Sequence, residues 1–295
     1  MSNDDDAPMP FTGERFTPEC VREIWYEHWH RYAFARRLAT GRRVLDAACG
    51  EGYGSALLAR VADDVVGVDI AADSIAHARA RYGSQLNLRY EVADATELPF
   101  ADASFDLVVS FETLEHLSAQ ERLLRGFERV LADDGLLVIS SPDKRTYSEL
   151  AGFRNEFHVR ELYREELLDL LMPHFGEVRL YGQKLLFQSA LWALDSESAS
   201  CEALTATADG SRVDPGPAHA PMYYVAVCAR RQLPDTLPDL SLFGDREESV
   251  YAHYNHEIRK NIAAGARIAE LEAELARLGA ATAPKRDWRW WKRKR

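Results

Sequence analysis

The sequence has no closely spaced cysteines. Its four cysteines, Cys20, Cys49, Cys201 and Cys228, are scattered and form no CxxC pair. That argues against structural zinc and against a disulfide framework. It has no long apolar run either, so neither a signal peptide nor a membrane-crossing helix is expected. Together these absences point to a reduced, cytoplasmic setting. Basic charge is also scarce: 36 Lys and Arg against 47 Asp and Glu give a net charge of −11. A generic polyanion binder is disfavoured, nucleic acid included. What is present is apolar content of 46% over 295 residues, enough for one large α/β domain and an appendage.

The central stretch is Arg42-Arg43-Val44-Leu45-Asp46-Ala47-Ala48-Cys49-Gly50-Glu51-Gly52-Tyr53-Gly54. It reads as a buried strand, a glycine turn and a helix from about Tyr53. Gly50 and Gly52 let the backbone approach a ligand where a Cβ would collide. Asp46 at the strand end opposes a pyrophosphate and attracts an ammonium or a sulfonium. No glycine follows Gly52 at three residues, so the dinucleotide fingerprint also fails. A second buried strand, Asp64 to Asp69, ends in a carboxylate nineteen residues after Gly50. At that distance an acid accepts bonds from ribose hydroxyls. A third acid, Asp94, follows Val92-Ala93 at another strand end and can take an exocyclic amine. The expected ligand is a nucleoside with a positive amino-acid arm and no phosphate.

These residues carry a family resemblance. Val44 to Gly54, Val66 to Asp69, Val92 to Ala95 and Phe105 to Ser110 resemble, in order, the motifs of class I S-adenosylmethionine-dependent methyltransferases. The resemblance covers roughly residues 27 to 230. It implies a doubly wound, mostly parallel seven-stranded sheet with a Rossmann-like methyltransferase fold. It places Asp46, Gly50 and Gly52 near the methionine arm, Asp69 on the ribose, and Asp94 with Ala95 at the adenine. Phe111 joins the cofactor set. An N-terminal helix often lids the cofactor in this family, and Arg31 on it could pair with the methionine carboxylate. Strands are expected near 43–48, 65–70, 87–93, 105–111 and 135–141, with closing strands at 178–187 and 222–228. Helices are expected near 53–61, 73–82, 118–131 and 161–174, the last with an apolar stripe at 162, 167, 168 and 171.

The chemistry is expected after the fourth strand, in Phe111-Glu112-Thr113-Leu114-Glu115-His116-Leu117. If Glu112 starts a helical turn, Glu115 and His116 share its face. Two carboxylates and an imidazole form a divalent-metal half-site. His158, forty-two residues past His116, is the candidate fourth ligand. The Glu-x-x-Glu-His motif with a later histidine resembles the metal site of small-RNA 2′-O-methyltransferases, where the metal lowers the acceptor pKa. Magnesium, manganese, iron and zinc all suit such ligands. Taken singly, each residue also has an ordinary structural role. Candidate catalytic residues are His116, His158 and Glu112, a histidine serving as base if no metal binds. Gly13 to Pro18, Glu27 to Tyr32, Phe111 to His116 and Asn155 to His158, with a coiled C-terminal segment, resemble methyltransferases of bacterial cell-surface glycan synthesis. A sugar or glycan hydroxyl is the acceptor that this resemblance implies. The alternatives are a small aromatic or lipid-linked acceptor without a metal, and a non-catalytic cofactor-binding scaffold.

The expected organisation is a disordered tail at 1–10, a cap-helix region at 11–39, the cofactor domain at 40–231 and a linker at 232–245. Within the domain, 195–221 reads as an insertion loop. A helix follows at 246–279, with Ile268, Leu271, Leu275 and Leu278 in a and d positions of two heptads. It could self-pair as a homodimer or dock on a partner helix. The end, 280–295, is basic and Trp-rich: 285–295 holds seven basic residues and three tryptophans. That suits peripheral docking on the anionic inner membrane surface.

Overall fold

A computed structural model describes residues 23–191, 194 and 201–282. The tail at 1–10, the loop at 11–18 and residues 285–295, expected to dock on a membrane surface, lie outside the described residues. The chain forms two compact units, Met1–Phe243 and Gly244–Arg295.

In the first unit strands and helices alternate: α1 (Glu23–Ala39), β1 (Arg43–Ala47), α2 (Tyr53–Leu58), β2 (Asp64–Asp69), α3 (Ala72–Tyr82) and β3 (Leu88–Val92). Then come β4 (Phe105–Ser110), α4 (Gln120–Val130), β5 (Leu131–Pro142), α5 (Arg164–Leu171) and β6 (Glu177–Gln183). A hairpin of β7 (Leu204–Ala206) and β8 (Val213–Pro215) precedes β9 (Tyr223–Ala229). The seven-stranded sheet has the order β3-β2-β1-β4-β5-β9-β6. In this sheet β9 alone runs against the other six strands. The central strands β1, β2, β4 and β9 are largely apolar and buried because both faces are covered, whereas the edge strands β3 and β6 carry charged residues. Val44, Val65 and Leu107 pack on one face with α1, α2 and α3, whereas Leu45, Val66 and Val108 pack on the other with α4 and α5.

Several boundaries differ from expectation. β5 begins at Leu131, directly after α4, and its register on β4 shifts between Phe105 and Leu107. The irregularity absorbs Asp133-Asp134-Gly135. β6 stops at Gln183 rather than Phe187. Pro221 lies against Gly182 and has no N–H, so the ladder ends with the Met222 N–H donating to the Gln183 carbonyl. On α5 the buried set is Leu167, Leu170 and Leu171, with Leu162 just before it; Leu168 is only half-buried. The helix is eight residues long, and 170 and 171 are the i+3 and i+4 neighbours of 167. Residues 233–243, expected as linker, pack on this unit. Leu237 is buried, the Tyr181 hydroxyl donates to the Pro238 carbonyl, and Phe243 stacks on His30.

The second unit contains one helix, α6 (Ser249–Thr282). Asp245 accepts from the Ser249 N–H at 3.0 Å and caps it. Gly265 does not break it. Ile268, Leu271, Leu275 and Leu278 are exposed on it. Among the described residues no helix is long and apolar enough to cross a membrane.

Candidate active site

The carboxyl ends of β1, β2 and β3 bring together the acids singled out in the sequence. Asp46, at the end of β1, is fully buried. It accepts from Ser55 Oγ at 2.6 Å and from the Tyr32 hydroxyl at 3.1 Å. Burial pushes its pKa up to about 7. Asp69, at the end of β2, accepts from the Gly50 and Ala71 N–H groups at 3.0 and 2.9 Å. The turn between β1 and α2 is left-handed at Ala48 (φ 61°), Gly50 (56°) and Gly52 (94°). A Cβ on Gly52 would meet the Tyr90 ring at 2.8 Å, and the Tyr90 hydroxyl donates to the Gly52 carbonyl at 2.6 Å. A Cβ on Gly50 would meet nothing within 4 Å, so that side of the turn is open. Glu51, between them, is tied to His77 and the Tyr82 hydroxyl, each at 2.9 Å. Asp94 is exposed and accepts from the Thr96 N–H and hydroxyl, both at 2.8 Å. Ala95 follows it in a short turn, and Phe111 is buried edge-on to Tyr32.

After β4 the chain turns sharply. Glu112 is left-handed at φ 49°, and the helical turn begins only at Leu114. Holding a non-glycine residue there costs about 1 kcal/mol. The expected Glu112–Glu115–His116 helical face is therefore not formed. The Glu112 N–H donates to Ser140 Oγ, which donates back to the carboxylate at 2.7 Å. The same carboxylate lies 3.3 Å from Arg31 Nη1. Arg31, which the resemblance places at a methionine carboxylate, is 2% exposed. Its Nε donates to Gln183 at 2.7 Å, and it lies 4.4 Å over the Tyr223 ring. Glu27, one turn earlier on α1, has its pKa raised to about 7 by burial, with Arg31 opposing. Burial and the Arg31 charge push His28 and His30 down, His30 to about 4.

Three of the four expected metal ligands do meet. One ligand atom from each of Glu115, His116 and His158 lies within 4.8 Å of the others. The Glu115 carbonyl accepts from the Val159 and Arg160 N–H groups, and Gln120 Nε2 donates to the Leu114 and Arg160 carbonyls. Those bonds fold the 155–160 loop back over the turn and deliver His158. His116 Nδ1 pairs with the Phe157 carbonyl at 2.9 Å, and its Nε2 faces Glu115 at 4.0 Å. His158 Nδ1 pairs with Glu161 at 2.6 Å, and its Nε2 with Asn155 Nδ2 at 3.0 Å. The Phe157 N–H donates to Asn155 Oδ1, which fixes that amide's orientation. Glu115 is fully buried, and neither carboxylate oxygen has a hydrogen-bond partner. Burial and the neighbouring Glu112 push its pKa well up. Glu112 is not part of this cluster, because Arg31 and Ser140 hold it.

Sequence reasoning did not single out Ser140, Tyr147, Gln183 or Tyr223. Tyr147 stacks on His158 at 5.3 Å and lies 5.7 Å from Tyr223. It sits in a π-helical turn, Lys144–Glu149, capped by Asp143. Such turns occur often at functional sites, but nothing in the local pattern marks this one.

The glycine turn and the acids lie at the carboxyl ends of successive strands, the place where doubly wound sheets bind their ligands. The comparisons with known proteins specify the family. A methyltransferase-domain model matches residues 45–139. A probable S-adenosylmethionine-dependent methyltransferase of Mycobacterium tuberculosis is 42% identical over 183 residues, 60% of this chain and 65% of that protein. The match thus spans just under two thirds of that relative's length. A second, from Mycolicibacterium smegmatis, is 39% identical over 177 residues, 58% of this chain and 68% of its own. The chain belongs to the S-adenosylmethionine-dependent methyltransferases. A solved S-adenosylmethionine-dependent methyltransferase from Thermotoga maritima shares the fold: TM-score 0.50, 21% identity, 70% of this chain and 90% of that one.

Proposed function

We propose that the protein moves the methyl group of S-adenosylmethionine onto a hydroxyl oxygen of a sugar or surface glycan, assisted by a divalent metal at Glu115, His116 and His158. The observation that carries the metal is Glu115. A buried carboxylate without hydrogen bonds is costly unless a proton or a cation joins it, and a cation flanked by two imidazoles can displace the proton. Arg31 is its nearest charged counterweight and already faces Glu112 and Glu27. His116 fits a ligand role, because its Nδ1 is bonded to a backbone carbonyl while Nε2 points to Glu115. His158 fits once Asn155 swings off Nε2; Glu161 already orients the ring.

The donor is supported by family membership and by the turn. Gly50 opens onto space, Asp69 fixes the turn, and Asp46 offers a buried carboxylate to a cationic arm. A bound divalent ion supplies a lowered pKa for the acceptor hydroxyl. The chain's own work is alignment of the two reactants; with His116 and His158 holding the metal, the proton of the acidified hydroxyl passes to water, and a histidine takes it only if no metal binds. The acceptor oxygen then takes the methyl, and the donor sulfur leaves as a neutral thioether.

The test is transfer of labelled methyl from S-adenosylmethionine to a panel of sugars, with chelator and with metal restored. We expect transfer to fall about 100-fold on chelation and to return with Mg²⁺ or Mn²⁺. Transfer that survives chelation removes the metal and leaves a histidine base. Transfer to no sugar removes the acceptor class.

A further inference from the structure

We infer that the cleft over the carboxyl end of β6 seats an amphipathic acceptor, a hydroxyl-bearing sugar head carrying an apolar chain. This rests on the sugar O-methyltransferase reading above and specifies its substrate. The cleft holds about 540 Å³, a ligand-sized space. It lies among α1, β6, the start of β9 and residues 239–243.

Its lining is chemically mixed. It includes Glu27, Arg31 and Gln183. Arg31 Nη2 is buried and has no hydrogen-bond partner. An oxygen arriving from a ligand would satisfy it. The oxygen is best uncharged, because Arg31 already faces Glu112, Glu27 and Glu115. A carboxylate or phosphate would add a further negative charge there. A sugar hydroxyl can accept from Arg31 and donate onward to a carboxylate. The rings that line the cleft are Tyr26, Phe34, Tyr181, Tyr224 and Phe243. Aromatic faces of this kind suit sugar rings as well as apolar groups.

Leu185, Leu186, Pro217, Leu240, Leu242 and Phe243 give the cleft an apolar stretch, beside the polar groups of Lys184, Gln188 and Asp239. Leu185 and Leu186 face the cleft because β6 ends at Gln183 and releases them from the sheet. Leu242 is 65% exposed. Large apolar groups left in water beside a ligand-sized cleft mark a surface that a ligand covers. A free polar sugar would leave this surface wet, whereas an attached apolar chain would cover it.

The probes are octyl β-glucoside below its micelle concentration, methyl β-glucoside and octanoate, titrated calorimetrically into the full chain. Octyl glucoside is expected to bind at least about tenfold more tightly than either other probe. Leu242→Asp should weaken octyl glucoside about fivefold or more and leave methyl glucoside and S-adenosylhomocysteine unchanged. Leu186→Asp is the second variant and should act in the same direction. Equal binding of the two glucosides, octanoate as the tightest probe, or octyl glucoside indifferent to both variants would overturn the inference. Failure of S-adenosylhomocysteine to bind the wild type instead strikes at the methyltransferase reading, and the chain-length comparison still decides the cleft.

Discussion

The glycine turn after β1 and the cluster after β4 sit at the ends of neighbouring strands, yet they are completed to different degrees. In the turn every carboxylate is held by the protein: Asp46 by Ser55 and Tyr32, Asp69 by two backbone N–H groups, and Glu51 by His77 and Tyr82. In the cluster Glu115 is buried with neither oxygen hydrogen-bonded, and a strained Glu112 is turned aside to Arg31. The acids of the turn are fixed by the protein's own donors. In the cluster, burial and the neighbouring Glu112 push the Glu115 carboxyl toward its protonated, neutral form.

The largest effect expected from this contrast is at Asp46. Its folded pKa of about 7 lies above the unfolded value of 3.8, so the folded state holds the extra proton between them. Stability from this group is therefore present at low pH and is lost as pH rises through about 7. The full loss is on the order of 4 kcal/mol. Denaturant titrations should show Asp46→Asn gaining on the wild type between pH 5 and 8, and a constant gap would contradict the buried carboxylate. Next is Gly52→Ala, which combines a 2.7 Å clash with Ala78 and a φ of 94°. We expect it to cost about 3 kcal/mol and to weaken S-adenosylhomocysteine binding. Glu112→Gln should cost about 2 kcal/mol, less than a fully buried pair, because Glu112 is 17% exposed and Glu27 still faces Arg31. The smallest is Glu115→Gln, expected to change apo stability by less than about 1 kcal/mol while abolishing metal binding. A large apo loss there would mean that the fold needs the carboxylate.

The same contrast decided what could be read from sequence. The turn is local: strand, glycine turn and acid follow within a few residues, and period and spacing expose them. Asp46, Asp69 and Asp94 accordingly fall at strand ends as expected. The cluster depends on contacts across the chain. Glu115 and His158 meet through backbone bonds from Val159 and Arg160, and Arg31 reaches Gln183 across 152 positions. A helical-face argument cannot see that Glu112 is left-handed, since nothing in its neighbours demands it. It therefore placed Glu112 with Glu115 and His116, whereas tertiary pairing with Arg31 placed it elsewhere. The early end of β6 has the same origin, because it depends on Pro221 in a distant segment.

The most direct test of the account is titration of Mn²⁺ into the wild type and into Glu115→Gln, each with S-adenosylhomocysteine binding measured alongside. The account predicts one Mn²⁺ site in the wild type, none in Glu115→Gln, and equal S-adenosylhomocysteine affinity in both. Equal Mn²⁺ binding in the two proteins, or none in the wild type, would contradict it.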